Sequence, residues 1–424
     1  MVPKEESEFM YDFVEKIINE AGPRMPCSPQ EAQAAEIIKK QFETSCDEVK
    51  MEKFTCHPKA FLGWIKLVVL LVFSSMVLYL LMQLFVDFIT ILIIALLSFS
   101  LVILPFWIMW EEFFNYKEFI DPLFKKKTSQ NVIGILPAKK EKKKIIIFSS
   151  HLDSAIEFKL QKILGYGFIP LAFIGILIML LWVGLSFLNI IFIIINPIAL
   201  KAVFFETAIW LLILGSPSFI GLFFFVPLGD KGNVVPGAVD NLSSCAVVQG
   251  IARYLKKNPG LISDHVEIRL ISFGCEEAGL RGAFRYAEAH EEELKKYDAY
   301  VINMDGLETP DGFHAIEFEP TTRTWHSEEV TEKILKAAKS VNVDISRFGA
   351  GKLEKTVGRL SGGSDAAAFS KAGIKAAFIN SADWKNRTNY YHQAEDTPDK
   401  IKSGTLENAF KICLALLENE KNLN

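Results

Sequence analysis

Two regimes of hydrophobic patterning alternate along the chain. In the first, apolar residues recur at helical spacing over Glu5–Ala21 and Pro29–Thr44, which predicts two amphipathic helices. Val49–Thr55 alternates as a half-buried strand does. Asn131–Leu136 and Lys144–Ser150 are short apolar runs joined by a charged turn, and they predict a hairpin. Beyond residue 230 the signals alternate: helices over Asn241–Lys257, Leu280–Ala289, Glu328–Val341, Asp365–Lys371 and Gly404–Glu418, and strands over His265–Phe273, Ala299–Met304, Phe313–Phe318 and Lys375–Asn380. Strands interleaved with helices predict an α/β sandwich around a largely buried mixed sheet.

In the second regime polar positions vanish. Leu67–Val86 is uncharged over the length a spanning helix needs. Asp87 interrupts it, Ile89–Trp110 follows, and the two predict a transmembrane hairpin. Trp64, Trp107 and Trp110 fall at its open ends, as in an aromatic belt. Ile163–Leu200 carries no charge, and after Lys201 and Glu206 a further clean run covers Thr207–Gly229. Hydropathy alone accepts three spans there, but an odd number would put the flanking polar segments on opposite sides of the bilayer. Two spans are therefore predicted, near Gly165–Phe187 and Thr207–Leu228, joined by a re-entrant or interfacial piece, with Trp182 and Trp210 at the far interface. The chain then divides into a polar domain in three parts, 1–58, 115–162 and 230–424, and two inserted hairpins, 59–114 and 163–229. Such insertions are cheapest in connections between elements.

Composition sharpens this picture. Half of the 424 residues are hydrophobic, yet the net charge is only −4. No basic stripe is present, so nucleic acid is not an expected partner, whereas the lipid bilayer is. Lys59, Lys66, Lys117, Lys125, Lys126, Lys127, Lys159, Lys162 and Lys231 flank the spans on the polar-domain side, against Lys201 alone on the other; this predicts a multi-pass membrane protein with a cytoplasmic polar domain. The opening "MVPKEESEFMYDFVEKI" is acidic and amphipathic, unlike a cleavable signal peptide. The six cysteines show no CxxC and no clustering along the chain, which predicts free buried thiols.

Five stretches bear chemistry: "HLDS" with His151 and Asp153, "PGAVDNLSS" with Asp240, "GCEEAGLRGA" with Glu276 and Glu277, "NMDG" with Asp305, and "YYHQAEDTPDK" with His392. Singly, each has a plainer reading. His151 and Asp153 read as a polar turn, Asp240 as a helix N-cap, and Glu276–Glu277 as a solvated helix start. Asp305 reads as a turn and His392 as a surface histidine. Their order changes the weighing. Those around His151, Glu276 and Asp305 each follow an apolar strand, where open α/β sheets place ligands.

Together His151, Asp240, Glu276, Glu277, Asp305 and His392, in this order, resemble the dizinc aminopeptidases, the family that includes bacterial leucyl aminopeptidases, aminopeptidase Y, glutamate carboxypeptidase and the glutaminyl cyclases. "GPRMPCSPQEAQAAEIIKKQF" and "GGSDAAAFSKAGIKAAFI" resemble that family's early and late segments. The resemblance covers the polar segments and neither apolar block. It implies a three-layer α/β/α zinc-exopeptidase fold, two zinc ions per chain, and hydrolysis of N-terminal peptide bonds by a water that the zinc pair activates. His151 and Asp305 would hold one zinc, Glu277 and His392 the other, with Asp240 bridging both. Glu276 would be the general base, Asp153 would orient His151, and a cis peptide would follow Asp240. The chain departs from the family at Val239, Ser244 and Ala366, none of them a ligand position. The expected substrate is a peptide with a free N-terminus; nothing in the sequence speaks to the oligomeric state. Alternatives are a carboxypeptidase or dipeptidase, for which Arg281, Arg359 or Arg387 would hold a substrate carboxylate, and a non-catalytic membrane scaffold. Glutaminyl cyclisation ranks lower because both ligand sets are present, and transport because the spans hold no internal acid.

Overall fold

In the computed structural model, which describes residues 2–195, 201–227, 229–349, 363–383 and 387–423, the polar segments build one eight-stranded mixed sheet. The described elements begin with α1 (Lys4–Ala21), α2 (Pro29–Ser45), β1 (Glu48–Cys56), α3 (Ala60–Leu81), α4 (Phe88–Met109), β2 (Lys127–Leu136) and β3 (Lys144–His151). There follow α5 (Lys159–Leu164), α6 (Phe168–Ile195), α7 (Lys201–Phe223), α8 (Ser243–Lys257), β4 (Val266–Phe273), α9 (Arg281–Lys296) and β5 (Tyr300–Leu307). The last are β6 (Phe313–Ile316), the short pair β7 (Phe318–Glu319) and β8 (Thr324–Trp325), α10 (Glu328–Ser340), β9 (Ile345–Phe348), α11 (Asp365–Lys371), β10 (Lys375–Ser381) and α12 (Thr405–Leu423). The chain separates into two units: Met1–Pro58, Lys125–Glu157 and Leu228–Asn424 form one, Lys59–Phe124 and Phe158–Pro227 the other.

The sheet of the first unit runs β1-β2-β4-β3-β5-β10-β6-β9. Its central strands β4, β3, β5 and β10 are mutually parallel, while β1, β2 and β6 join antiparallel. The apolar run of β3 explains why it lies at the centre. Ile146 and Phe148 face a core shared with α1, α2, α8, α10 and α12, and Ile145 and Ile147 face a second core with α9 and α11. Each fully buried side chain of this kind contributes about 1.5–3 kcal/mol by transfer from water. A strand filled on both faces is thus held far more strongly than an edge strand such as β1, whose exposed positions alternate. Helices on both faces make the three-layer α/β/α fold.

The structure corrects one neighbour relation. β2 and β3 do not form a hairpin, because β4 lies between them, antiparallel to β2 and parallel to β3. The charged turn "KKEKKK" instead crosses β4 and is held to its approach, Lys140 N donating to Asp264 O and Lys143 N to His265 O. β9 was not expected, and the predicted Phe313–Phe318 strand is broken at Glu317 into β6 and β7.

The second unit is a helical bundle. Among the described residues four helical stretches are long and apolar enough to cross a membrane: Ala60–Leu84, Phe88–Phe114, Lys159–Ile195 and Phe204–Phe223. Its exterior is apolar, with Leu70, Leu97, Leu177, Leu181 and Ile213 about half exposed. Its interior holds polar groups: Ser75 Oγ donates to Ser98 O (2.7 Å), Ser98 Oγ to Ser75 O (3.0 Å), and Trp182 Nε1 to Ser75 Oγ (2.8 Å). Trp182 is therefore not at an interface as expected; its indole N–H finds a partner in the bundle centre instead. The expected re-entrant piece is also absent from the described residues. α6 extends to Ile195 and α7 starts at Lys201, while residues 196–200 lie outside the description. Lys66, early in α3, donates to the carbonyls of Val226 and Pro227 beyond α7, so the open ends of both hairpins share one end of the bundle.

Candidate metal centre

The C-terminal ends of the parallel strands supply most of the predicted site. His151 ends β3, Glu276 and Glu277 follow β4, and Asp305 lies near the end of β5. Asp240 precedes α8, and His392 lies in the segment after β10. The structure brings all six together. His151 Nε2 lies 3.1 Å from Asp240 Oδ1, 3.7 Å from Asp305 Oδ1 and 3.8 Å from Glu276 Oε2. His392 Nε2 lies 3.1 Å from Asp240 Oδ2 and 3.3 Å from Glu277 Oε1. Asp240 thus presents one carboxylate oxygen to each imidazole. Three overlapping ligand groups result, His151–Asp240–Asp305, Asp240–Glu277–His392 and His151–Glu276–Glu277, and Asp240 belongs to the first two.

The donor set fits zinc, which imidazole and carboxylate ligands suit. His151 Nε2 is buried close to Asp240 yet makes no hydrogen bond, and Glu277 Oε1 is likewise buried without one. Ligand atoms disposed around a common centre behave in this way. The charge balance agrees. Burial pushes Glu276 well above the ordinary carboxylate range, against the opposing charge of His151, and it raises Glu277 and Asp305 in the same sense. Burial also disfavours charge on the imidazoles. The carboxylates around them outweigh it, lifting His392 to about 9 and His151 well above its ordinary value. Asp240 is pushed up by burial but held far down by the two histidines flanking it. The pocket therefore carries an excess of negative charge that a divalent cation offsets.

Asp153 lies between His151 and the glutamate pair. Its carboxylate lies 3.5 Å from His151 Nδ1, whose hydrogen-bond partner is the Asp153 carbonyl at 3.2 Å. Its two carboxylate oxygens accept the backbone N–H groups of Glu276 (3.1 Å) and Glu277 (3.0 Å), so one side chain sets both the histidine turn and the glutamate pair. The Asp240–Asn241 peptide is cis. Asn241 is buried; it donates to Met304 O and accepts from Gly306 N, tying this turn to β5.

Sequence reasoning missed two supporting residues. Asp396 accepts the N–H groups of Val239 (2.8 Å) and Asp240 (3.2 Å) on its two carboxylate oxygens, and burial lifts it to about 7. Arg24 is fully buried and donates to the carbonyls of Leu152, Gly22, Pro236 and Gly237, joining the N-terminal loop to both halves of the centre. Gly237 permits this approach: its φ is +61°, and a Cβ there would meet Asp240 O at 2.6 Å. Both missed residues lie within quoted motifs, but their partners are backbone atoms remote in sequence. Beside the centre, the Tyr391 ring stacks on His392 at 3.9 Å, and Arg387 covers Tyr391 at 4.3 Å within electrostatic reach of Asp240 and Asp305. Arg281 is buried at the start of α9, and Arg359 lies outside the described residues.

Residues 226–417 match the sequence model of Peptidase family M28. Aminopeptidase YwaD of Bacillus subtilis (strain 168) is 35% identical over 182 residues, 42% of this chain. The chain thus spans only 37% of that relative's length. Among solved structures, the aminopeptidase from Aneurinibacillus sp. strain AM-1 superposes with a TM-score of 0.53 at 16% identity, covering 97% of this chain and 93% of that one. BSAP, a zinc aminopeptidase from Bacillus subtilis, gives 0.53 at 16% identity over 98% and 94%. A glutaminyl cyclase from an Acidobacteriales bacterium gives 0.55 at 14% identity over 99% and 96%. These structural likenesses show the fold.

Proposed function

We propose that this chain is a membrane-anchored zinc aminopeptidase that hydrolyses the N-terminal peptide bond of peptides. The observation that carries the reading is the pair of ligand triads sharing Asp240. In this reading His151 and Asp305 hold one zinc, Glu277 and His392 the other, and Asp240 both. Zinc supplies a Lewis acid that polarises the scissile carbonyl and acidifies a water. Glu276 stands with His151 and Glu277 but outside both groups that contain Asp240, and its buried carboxylate has raised proton affinity. It takes the proton of the attacking water and delivers it to the leaving amine. Asp153 and Asp396 fix the backbone that presents the glutamates and Asp240. The free amino end of the substrate sits beside Glu276. The four apolar helices anchor the chain in the bilayer, with the peptidase unit on the cytoplasmic side, as the lysine bias suggests.

One observation favours a second reading: Arg387, beside the centre, offers a cation for a substrate carboxylate, as a carboxypeptidase or dipeptidase requires. A panel of free-amine, acyl-blocked and dipeptide substrates, with and without chelator, separates the two. Cleavage of free-amine substrates of any length, abolished by chelator, is the expected result. Glu276→Gln is expected to keep its zinc and lose about 10²–10⁴-fold in kcat; normal turnover by that variant would refute the role given to Glu276.

A further inference from the structure

Three cysteines that are far apart in sequence meet at one point. Cys27 precedes α2, Cys56 ends β1, and Cys275 lies just after β4. Their sulfurs are 3.2 Å (Cys27–Cys275), 3.5 Å (Cys27–Cys56) and 3.5 Å (Cys56–Cys275) apart. Cys56 and Cys275 are buried and Cys27 is half-buried, with Phe54 and Ala278 packed around them. The backbone at Cys27 and Cys275 adopts left-handed φ values of 57° and 55°, uncommon for a residue with a side chain. A single buried carboxylate holds both in place: Glu31 Oε2 accepts Cys27 N (2.9 Å), and Glu31 Oε1 accepts Cys275 N (3.0 Å) and Ser129 Oγ (2.8 Å).

We propose that Cys27, Cys56 and Cys275 form a thiolate site for one thiophilic d10 metal ion, zinc or copper(I), separate from the carboxylate–imidazole centre. Distances decide between the alternatives. Zinc–thiolate bonds of ~2.3 Å put two sulfurs ~3.8 Å apart on a tetrahedral ion, so each pair here needs to spread by about half an ångström or less. A disulfide needs ~2.0 Å between sulfurs, a larger movement in the opposite sense, and it leaves one thiol over. Thiolate ligands select such soft or borderline ions. The site also has a position that matters. Cys275 immediately precedes Glu276 and Glu277, so an ion on the three sulfurs ties the loop carrying those glutamates to β1 and to the N-terminal segment. Cys27 and Cys275 are positioning residues in this sense, and the consequence for catalysis rests on the reading above.

The test uses the full chain in detergent, stripped of metal and titrated with cobalt(II). A sulfur-to-cobalt charge-transfer band in the near ultraviolet is expected in the wild type. It should survive in Asp240→Asn and vanish in Cys27→Ser, whose bound metal falls by roughly one equivalent. Zinc and chelator-buffered copper(I), added separately, identify the preferred ion by which displaces the cobalt band at lower free concentration. Alkylation of the wild type followed by peptide mass spectrometry needs no variant to fold: metal should protect Cys27, Cys56 and Cys275 together. Absence of the band with alkylation unchanged by metal would mean that the thiols only pack, and would overturn the proposal. So would a disulfide between two of them formed in air without metal uptake. Presence of the band in a chain that binds nothing at Asp240 would leave the thiolate site standing and remove the aminopeptidase reading.

Discussion

At the scale of single residues the centre depends on groups outside the proposed ligand set. Asp153 accepts two backbone N–H groups and lies beside His151. Asp153→Asn removes the charge and one acceptor; it is expected to weaken zinc binding by about 10–100-fold, read by competition with a chromogenic chelator, and to lower the thermal unfolding midpoint through the backbone N–H it leaves unpaired. Arg24 is a different case: its loss strands the buried carbonyls of Leu152 and Gly237 and the partly buried ones of Gly22 and Pro236. Arg24→Met is expected to cost about 3 kcal/mol, since leaving buried acceptors unsatisfied costs ~1–3 kcal/mol apiece before relaxation, and should appear as a lowered midpoint with metal present. The contrast explains what the sequence could display. His151, Asp240, Glu276, Glu277, Asp305 and His392 stand out because they are polar residues at strand ends in a recognisable order. Arg24 and Asp396 bind main-chain atoms, which have no letter in a sequence. The three clustered thiols sit on separate elements, so their spacing along the chain carries no signal.

At the scale of elements, periodicity identified β2 and β3 as strands but misassigned their partners. A run such as "IIIFSS" records burial on both faces, not which strand lies alongside. β4 takes the place between them because β3 and β4 are both buried on both faces and pair in parallel at the sheet's centre. The outer side of β4 is clamped to α9 by charge: Arg269 reaches Glu293 at 2.7 Å, and Lys142 reaches Glu293 at 2.8 Å and Glu267 at 2.9 Å. Burial raises Glu293, but Arg269 and Lys142 outweigh it and hold it down at about 2. A carboxylate lowered on folding stabilises the fold above its unfolded value, and that contribution is lost as pH falls through its folded value. The thermal midpoint should therefore drop between the ordinary glutamate range and pH ~2, and Glu293→Gln should flatten the drop. An unchanged profile in that variant would assign the acid sensitivity to other groups.

At the scale of the whole molecule, both kinds of hydrophobic pattern were legible: the uncharged runs gave the helices of the bundle, and the alternating segments gave the α/β layers. The extent of α6 was less visible, because the helix continues through residues whose composition suits a re-entrant piece equally well. Both hairpins open at one end of the bundle, which makes the proposed topology testable. Tags at the N-terminus, in the Lys139–Lys140 turn and at the C-terminus should share one protease accessibility, and a tag inserted after Ile195 should show the opposite one. Uniform accessibility would eliminate the two-hairpin topology.

The strand order also governs how the nascent polypeptide matures. β2 waits for β4 as its inner neighbour, and β3 waits for β4 and β5, yet both are synthesised before the second apolar insert and their partners after it. At ~5–20 residues per second, the ribosome takes seconds to traverse that insert, with three sticky strand edges unsatisfied meanwhile, one on β2 and two on β3. Biogenesis thus imposes a delay during which shielding by a chaperone, or prompt capture of the insert by the insertion machinery, decides between assembly and aggregation.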